Sequence, residues 1–288
     1  MNRMIIGVLM LLVFNSCAEN KNIITSGNSI QFGTESTLDI ITWNIEHFPK
    51  NNLTVSYLAE LIDSMNVDII AMQEIWGDGA SDSFEDLKTK LDGWDGSRKS
   101  SGLAYLYKTE LIFNSPPEIE ALNDIIRTPY LLSINIDGEN IFIINNHLRA
   151  NYNDGNWDED ERKEALGKLE EYINQFLPEE NVILLGDLND DLNDKGVNVF
   201  QNFINDSTNY KSVDMNIAYG SSGNWSYPGW PSHLDHILIT NELFDEFDNT
   251  GSIVQTIHIE DYFEGGWSDY EKYVSDHRPV VLSLNFNP

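Results

Sequence analysis

The chain has 288 residues, of which 41% are hydrophobic and 22% charged, enough to bury one large core without division into two domains. Its 17 Lys plus Arg against 47 Asp plus Glu leave a net charge of −30. That balance argues against a nonspecific nucleic-acid coat protein, whose affinity comes from neutralising phosphates with cations, and the apolar content argues against a disordered chain.

The amino terminus reads as an export signal. Arg3 is a basic lead, and Met4 to Phe14 (MIIGVLMLLVF) is an apolar stretch too short to cross a bilayer core of about 30 Å as a helix. Cys17, the only cysteine, follows Ser16, and this arrangement resembles the lipobox of bacterial lipoproteins, departing from it at Phe14 and Asn15. The resemblance implies removal of residues 1–16 and a lipidated Cys17 anchored to a membrane of the cell envelope; a plain secretory signal with a secreted product is the alternative. One cysteine allows no internal disulfide, so an exported fold must rest on its core. Residues 17–36 are polar, lack a sustained period and read as a tether, leaving 37–288 as one domain.

Leu38 to Trp43 (LDIITW) is an apolar run that stops at Asn44, and Val67 to Gln73 (VDIIAMQ) is another that stops at Glu74. Between them Leu53, Tyr57, Leu58, Leu61, Ile62 and Met65 recur at helical spacing. A helix over 53–65 then joins two parallel strands and brings Asn44 and Glu74 to one edge. A short helix is expected over 84–91, and strands over 103–107 and 130–136. Asp137-Gly138 is a tight-turn signal that sends 139–146 back antiparallel, with His147 at the end. The stretch 151–161 (NYNDGNWDEDE) alternates Asp154, Asn156, Asp158 and Asp160, but Glu159 stands where a calcium loop needs glycine and Ala165 where it needs the closing acid. It reads as a solvated loop, with calcium binding as the alternative. Ala165, Leu166, Leu169, Tyr172, Ile173 and Phe176 give a packing stripe to a helix over 161–176.

Asn181 to Asp191 (NVILLGDLNDD) organises the rest. Val182 to Leu185 form a short buried strand, Gly186 frees the backbone, and Asp187, Asn189, Asp190 and Asp191 crowd into the turn that follows. Two later strands carry polar groups at their start, in Leu234-Asp235-His236 and Ser275-Asp276-His277. In a mixed sheet the carboxyl ends of some strands share an edge with the amino ends of antiparallel neighbours, so these clusters converge on one rim. Ser221 to Trp230 (SSGNWSYPGW) should overhang that rim and offers Trp225, Tyr227 and Trp230, either for stacking on a substrate or for pinning the loop.

Taken in order, TWNIEHF, AMQEI, NNHLRA, LLGDLND, HLDHILI and SDHRPVV, spread over residues 42–282, resemble the endonuclease/exonuclease/phosphatase superfamily. The resemblance implies an α/β (α+β) fold, a four-layer αββα sandwich of two mixed β-sheets flanked by helices. It also implies hydrolysis of a phosphoester, which needs neutralised phosphoryl oxygens, an activated in-line water and help for the leaving oxygen. A hard cation, Mg²⁺ or Mn²⁺, suits the oxygen donors present. Glu74 is the first expected ligand, with Asn44 beside it and Asp276 or Asp187 as further ligands. By resemblance, Asp187 orients or deprotonates the attacking water, Asn189 hydrogen-bonds a phosphoryl oxygen, and His147 and His277 contact the phosphate as acid or base. Asp235 would hold His277 in one tautomer, and Arg127, in IIRTPYLL, would hold phosphate or the transition state.

Lys50, Arg127, Arg149 and Arg278 lie next to these blocks in sequence and are expected to ring the metal with positive charge. There are departures: Ser100-Ser101-Gly102 stand where secreted deoxyribonucleases carry a Glu supporting the first histidine, and His233 stands where many relatives carry an arginine. Nucleic acid is the expected substrate, cut by a monomer. The alternatives are a small-molecule or phospholipid headgroup ester, and a surface protein on the same scaffold that binds without turnover.

Overall fold

Two six-stranded mixed sheets lie face to face in the computed structural model, which describes residues 30, 32–114, 119–125, 127–136, 138–151 and 157–287. The export segment, Cys17, Asp154 and Asn156 fall outside these residues, as does Asp137 of the expected tight turn. In chain order the strands of the first sheet are β1 (Leu38–Asn44), β2 (Ile69–Gln73), β3 (Trp94–Arg98) and β4 (Ala104–Lys108). The second sheet takes β5 (Ile112–Phe113), β6 (Tyr130–Ile136), β7 (Glu139–His147), β8 (Asn181–Asp187), β9 (Tyr210–Ser212) and β10 (Asp235–Thr240). The chain then returns to the first sheet with β11 (Ile253–Thr256) and β12 (Val280–Leu284). The orders are β11-β12-β1-β2-β4-β3 and β5-β6-β7-β8-β10-β9.

Each sheet holds one parallel pair, β1 with β2 and β7 with β8, and the other pairs are antiparallel. A helix makes each parallel crossover, α1 (Thr54–Met65) in the first and, after α2 (Ala80–Lys90), α3 (Trp157–Phe176) in the second. Leu58, Leu61 and Ile62 of α1 and Phe84 and Leu87 of α2 pack with Ile41, Trp43, Ile70 and Met72. Leu166, Leu169 and Ile173 of α3 pack with Phe142, Ile144, Val182 and Leu184. Between the sheets lie Ile40, Ile69, Ile143, Ile183, Leu185 and Ile237. The result is the expected four-layer sandwich.

The alternation of strand faces positions the polar ends. Residues two apart share a face, so Leu38 and Ile40 in the inter-sheet seam predict that Asn44 points there too. The same parity runs from Ile141 and Ile143 to His147, from Ile183 and Leu185 to Asp187, and back from Ile239 and Ile237 to Asp235. Burying each such aliphatic side chain is worth roughly 1.5–3 kcal/mol. A one-residue slip of β8 would turn its seam residues into the helical layer together with Asp187, so packing sets the register that the site needs. Gly186, at φ 142, allows β8 to approach β7: a Cβ there would lie 1.9 Å from the Asn146 carbonyl oxygen.

Three expectations need correction. The tether does not run free to residue 36, because Ile30 is 2% exposed in the α1 layer, and Phe32 and Gly33 donate backbone N–H groups at 3.0 and 3.2 Å to Met65 O, a helix-end carbonyl without an intrahelical partner. The solvated loop over 151–161 gives way to α3 at Trp157, and Asp158 is fully buried with its carboxylate 2.6 Å from Arg149 Nε. A strand over 94–98 was not expected, since an edge strand reading WDGSR, with no fully buried residue, lacks the apolar alternation that announces one. Among the described residues, no helix is long and apolar enough to cross a membrane.

Candidate active site

The rim of the sandwich opens into a cavity of about 610 Å³ that touches both sheets. Across the seam, Asn44 Nδ2 donates to Asp187 Oδ2 at 2.9 Å and to Glu74 Oε1 at 3.3 Å. His147 Nε2 lies 3.5 Å from Asp187 Oδ2 and 3.9 Å from Glu74 Oε1. His277 Nε2 lies 3.9 Å from Asp187 Oδ2 and 4.0 Å from Asp276 Oδ1, while its Nδ1 is 2.7 Å from Asp235 Oδ2. Asn189, with φ at 54°, turns the chain after β8; its N–H donates to Asp187 Oδ1 and its amide to Leu148 O. Six residues expected at the site from sequence, Glu74, His147, Asp187, Asn189, Asp276 and His277, line the cavity. Asn44 and Asp235 support them from below.

Local backbone geometry explains how Glu74 joins. Strand parity would aim it into the helical layer, but its φ of 64° breaks β2 and re-aims the side chain. His47 N–H then donates to Glu74 Oε2 at 2.9 Å. Asn44 Oδ1 accepts the Glu46 backbone N–H at 2.9 Å with one of its two lone pairs, and its NH₂ faces the carboxylates. Glu46 is a further acid at the rim: it lines the cavity, and its Oε2 accepts the Asp276 N–H at 3.0 Å. The sequence did quote Glu46 within TWNIEHF, yet its reach depends on a positive φ of 35° that no periodicity reveals. Arg127 does not line the cavity: its Nη1 donates to Leu148 O at 3.0 Å and its guanidinium lies 5.4 Å from the Trp76 ring centre. Trp76 in turn lies 5.5 Å from the His147 ring.

The departure at residues 100–102 has a structural counterpart. A Cβ on Gly102 would meet Trp76 Cε3 at 2.5 Å, so the indole fills the space beside His147, whose buried Nδ1 has no hydrogen-bond partner among the described residues. Burial, with Arg127 and His277 nearby, holds the His147 pKa well below its ordinary value, so its ring is neutral. Burial also raises the Asp187 carboxyl to about 7, against the opposing pull of His277, and raises Asp276 to about 6. For His277 burial acts downward, but the Asp235 and Asp187 carboxylates outweigh it and carry the imidazole up to about 10. A cationic His277 with Asp235 behind it is thus an electrostatic partner for a phosphoryl oxygen.

Glu46, Glu74, Asp187, Asp191, Asp194 and Asp276 all line the cavity, and among its described lining residues there is no Lys or Arg. The expected positive ring is absent because each cation has its own acceptor. Lys50 pairs with Glu46, Arg149 with Asp158 and Glu161, and Arg278 with Glu260, while Arg127 caps a carbonyl. This hard-oxygen, acid-lined donor set fits a divalent cation: without one, an anionic substrate would face carboxylates that outnumber the one cationic imidazole, His277.

A second buried cluster, Asp214, His233 and His236, lies behind β10. Its spacing resembles a metal site, but Ser226 N–H donates to His233 Nδ1 at 3.3 Å, so a neutral ring carries its proton on Nε2, 3.0 Å from Asp214 Oδ2, and has no lone pair to offer there. His236 Nδ1 is 2.6 Å from the same oxygen, and its Nε2 donates to Asp190 O at 2.8 Å, tying the turn after β8 to Asp214. Burial opposes both charges, but the pair outweighs it, lowering Asp214 and raising His236. Asp214→Asn breaks a buried ion pair and should cost about 3–5 kcal/mol in denaturant unfolding. The His236 share of stability is complete below the unfolded value near 6.5 and is lost as pH rises through the higher folded value; in Asp214→Asn that alkaline decline should disappear.

The sequence matches the model of the Endonuclease/Exonuclease/phosphatase family over residues 41–277. No curated protein matches it. Among solved structures, D. rerio TDP2 complexed with single strand DNA product superposes with a TM-score of 0.65 at 17% identity, over 87% of this chain and 100% of that one. The human Nocturnin catalytic domain with bound sulfate gives 0.61 at 16%, over 88% and 96%. The 3′ phosphatase NExo from Neisseria, bound to a product DNA hairpin, gives 0.60 at 18%, over 86% and 100%. At these identities the likeness is one of fold.

Proposed function

Because this chain belongs to the endonuclease/exonuclease/phosphatase family, whose members are metal-dependent phosphoester hydrolases, we propose that it is a Mg²⁺- or Mn²⁺-dependent phosphodiesterase acting on nucleic acid. The observation that carries the reading is the convergence of Glu74, His147, Asp187 and His277 from both sheets on one acid-lined cavity. A buried carboxylate raised to about 7 beside a histidine raised to about 10 in one cavity favours turnover over binding alone. Two of the solved neighbours hold DNA products, which supports nucleic acid as the substrate class.

Glu74 and Asp276, with Asn44 and Glu46 beside them, would hold the cation, which when bound neutralises phosphoryl charge and lowers the pKa of nearby water. Asp187, steadied by Asn44 and by the Asn189 N–H, takes the proton of the attacking water. His277, held by Asp235, donates from Nε2 to a phosphoryl oxygen. Neutral His147 donates one hydrogen bond from Nε2 to a phosphoryl oxygen, and Asn189 orients the same group. Arg127 acts at one remove, through Leu148 and Trp76.

A small phosphoester is the second reading, favoured by the lack of any Lys or Arg among the described residues of the cavity wall. One panel separates the two: initial rates with Mg²⁺ and with Mn²⁺ on single-stranded DNA, duplex DNA, bis(p-nitrophenyl) phosphate and phosphatidylcholine vesicles. Metal-dependent cleavage of DNA is the expected result. Turnover confined to the small ester or the vesicles would sink the nucleic-acid reading, and turnover of none would sink the phosphodiesterase.

A further inference from the structure

We infer that Trp230 is a stacking platform for an unpaired nucleobase of the substrate, so that the enzyme selects single strands or frayed ends over duplex; this rests on the nucleic-acid reading above. Trp230 lines the cavity mouth yet is 78% exposed. Among the described residues its ring has neither an aromatic nor a cationic neighbour, whereas Tyr227 already lies against His277, with ring centres 4.8 Å apart. An indole at the rim of a polar cavity leaves a large flat apolar face unused in the free protein.

The segment that carries it is built to hold still. Tyr227 and Ser232 exchange backbone hydrogen bonds of 3.0 and 3.1 Å, closing a tip of Pro228, Gly229, Trp230 and Pro231 in which the two prolines restrict the chain. Below the tip, Arg278 Nη1 donates to Gly223 O at 2.7 Å and to Trp225 O at 3.2 Å, and the Arg278 N–H donates to Ser226 O at 2.7 Å. Ser226 Oγ accepts the backbone N–H groups of Leu234 and Asp235, both at 3.1 Å. Trp225 is spent as an anchor, its Nε1 donating to Ile217 O at 3.1 Å. The residues adjoining His277 and Asp235 thus fix the height of Trp230 over the reacting centre, which lowers the ordering cost of a contact made there.

Charge points the same way. With no Lys or Arg among the described cavity residues, the cavity wall offers the part of the substrate that does not react no lysine or arginine for its backbone phosphates. A π-face remains, and stacking a base on an aromatic side chain contributes about 1–3 kcal/mol. A duplex offers no free base face without an unstacking cost of a few kcal/mol.

The test compares wild type, Trp230→Ala and Trp230→Phe on a single-stranded oligonucleotide and on the same strand with tetrahydrofuran abasic residues flanking the scissile phosphate. Trp230→Ala should raise KM on the normal strand by about 5- to 100-fold, converting that stacking energy at 1.4 kcal/mol per tenfold. Trp230→Phe should recover much of the loss, and on the abasic strand all three should have similar KM values. Equal KM for wild type and Trp230→Ala on the normal strand, or an equal rise on both strands, would overturn the stacking role while leaving the nuclease reading intact. Wild-type inactivity on every strand, alongside turnover of a small phosphoester, would overturn both.

Discussion

Asp187→Asn and His277→Ala should each lower turnover by at least about a hundredfold, the scale for removing a general base or a principal electrostatic partner. Asp187 is the carboxylate on which the others converge: Asn44 donates to it, and His147 and His277 lie 3.5 and 3.9 Å away. The amide introduced by Asp187→Asn would keep this shape but accept no proton. Unfolding would not account for its loss. A carboxyl raised from its unfolded value to about 7 makes the native state less stable as pH rises between those two values. Asp187→Asn should therefore match or exceed the wild-type melting temperature at pH 8 in EDTA, while being inactive with metal. His277→Ala differs, because it leaves Asp235 buried without its imidazole, and stranding a buried charge costs about 3–5 kcal/mol. His277→Gln, which keeps a donor near Asp235, separates the two effects: activity should fall by the same hundredfold with a smaller loss of stability. Wild-type turnover in Asp187→Asn would remove Asp187 from the mechanism.

Most of this constellation was legible because strand ends are written in the sequence. Where an apolar run stops at a polar residue, period-two parity fixes the face on which that residue lies, so Asn44, His147, Asp187 and Asp235 follow from the packing of Ile40, Ile143, Leu185 and Ile237. What periodicity could not supply was set by backbone turns and by distant partners. Glu46 and Glu74 reach the cavity through positive φ angles. Arg149 and Arg278 look like free cations beside catalytic blocks until the fold brings up Asp158 and Glu260. In the same way the end of the tether is pinned by the carbonyl end of α1, a partner more than thirty positions away.

Removal of divalent metal should abolish activity and, with it, capture of the substrate. The protein carries a net charge of −30, and the cavity wall concentrates Glu46, Glu74, Asp187, Asp191, Asp194 and Asp276, of which only Glu46 is paired with a described lysine, Lys50. A phosphodiester approaching that wall meets more carboxylate charge than the cationic His277 offsets until a cation is bound between the two. Activity should fall to background in EDTA and return on addition of Mg²⁺ or Mn²⁺, and binding of uncleaved DNA should be lost in the same titration. The salt dependence follows from the same geometry. Proteins that neutralise six to ten phosphates with Lys and Arg lose about 10³–10⁵ in affinity between 50 and 200 mM salt, through counterion release. Here the contact is confined to the cavity, and at 0.15 M the Debye length of about 8 Å already screens the distant acids. KM on DNA at saturating Mg²⁺ should therefore change by less than about tenfold over that range, and association should be slowest at the lowest salt, where the repulsion of like charges is unscreened. A KM that climbs by a thousandfold over the same series would require an extended basic groove, and the pairing of Lys50, Arg149 and Arg278 with their own carboxylates leaves none of those three to build one.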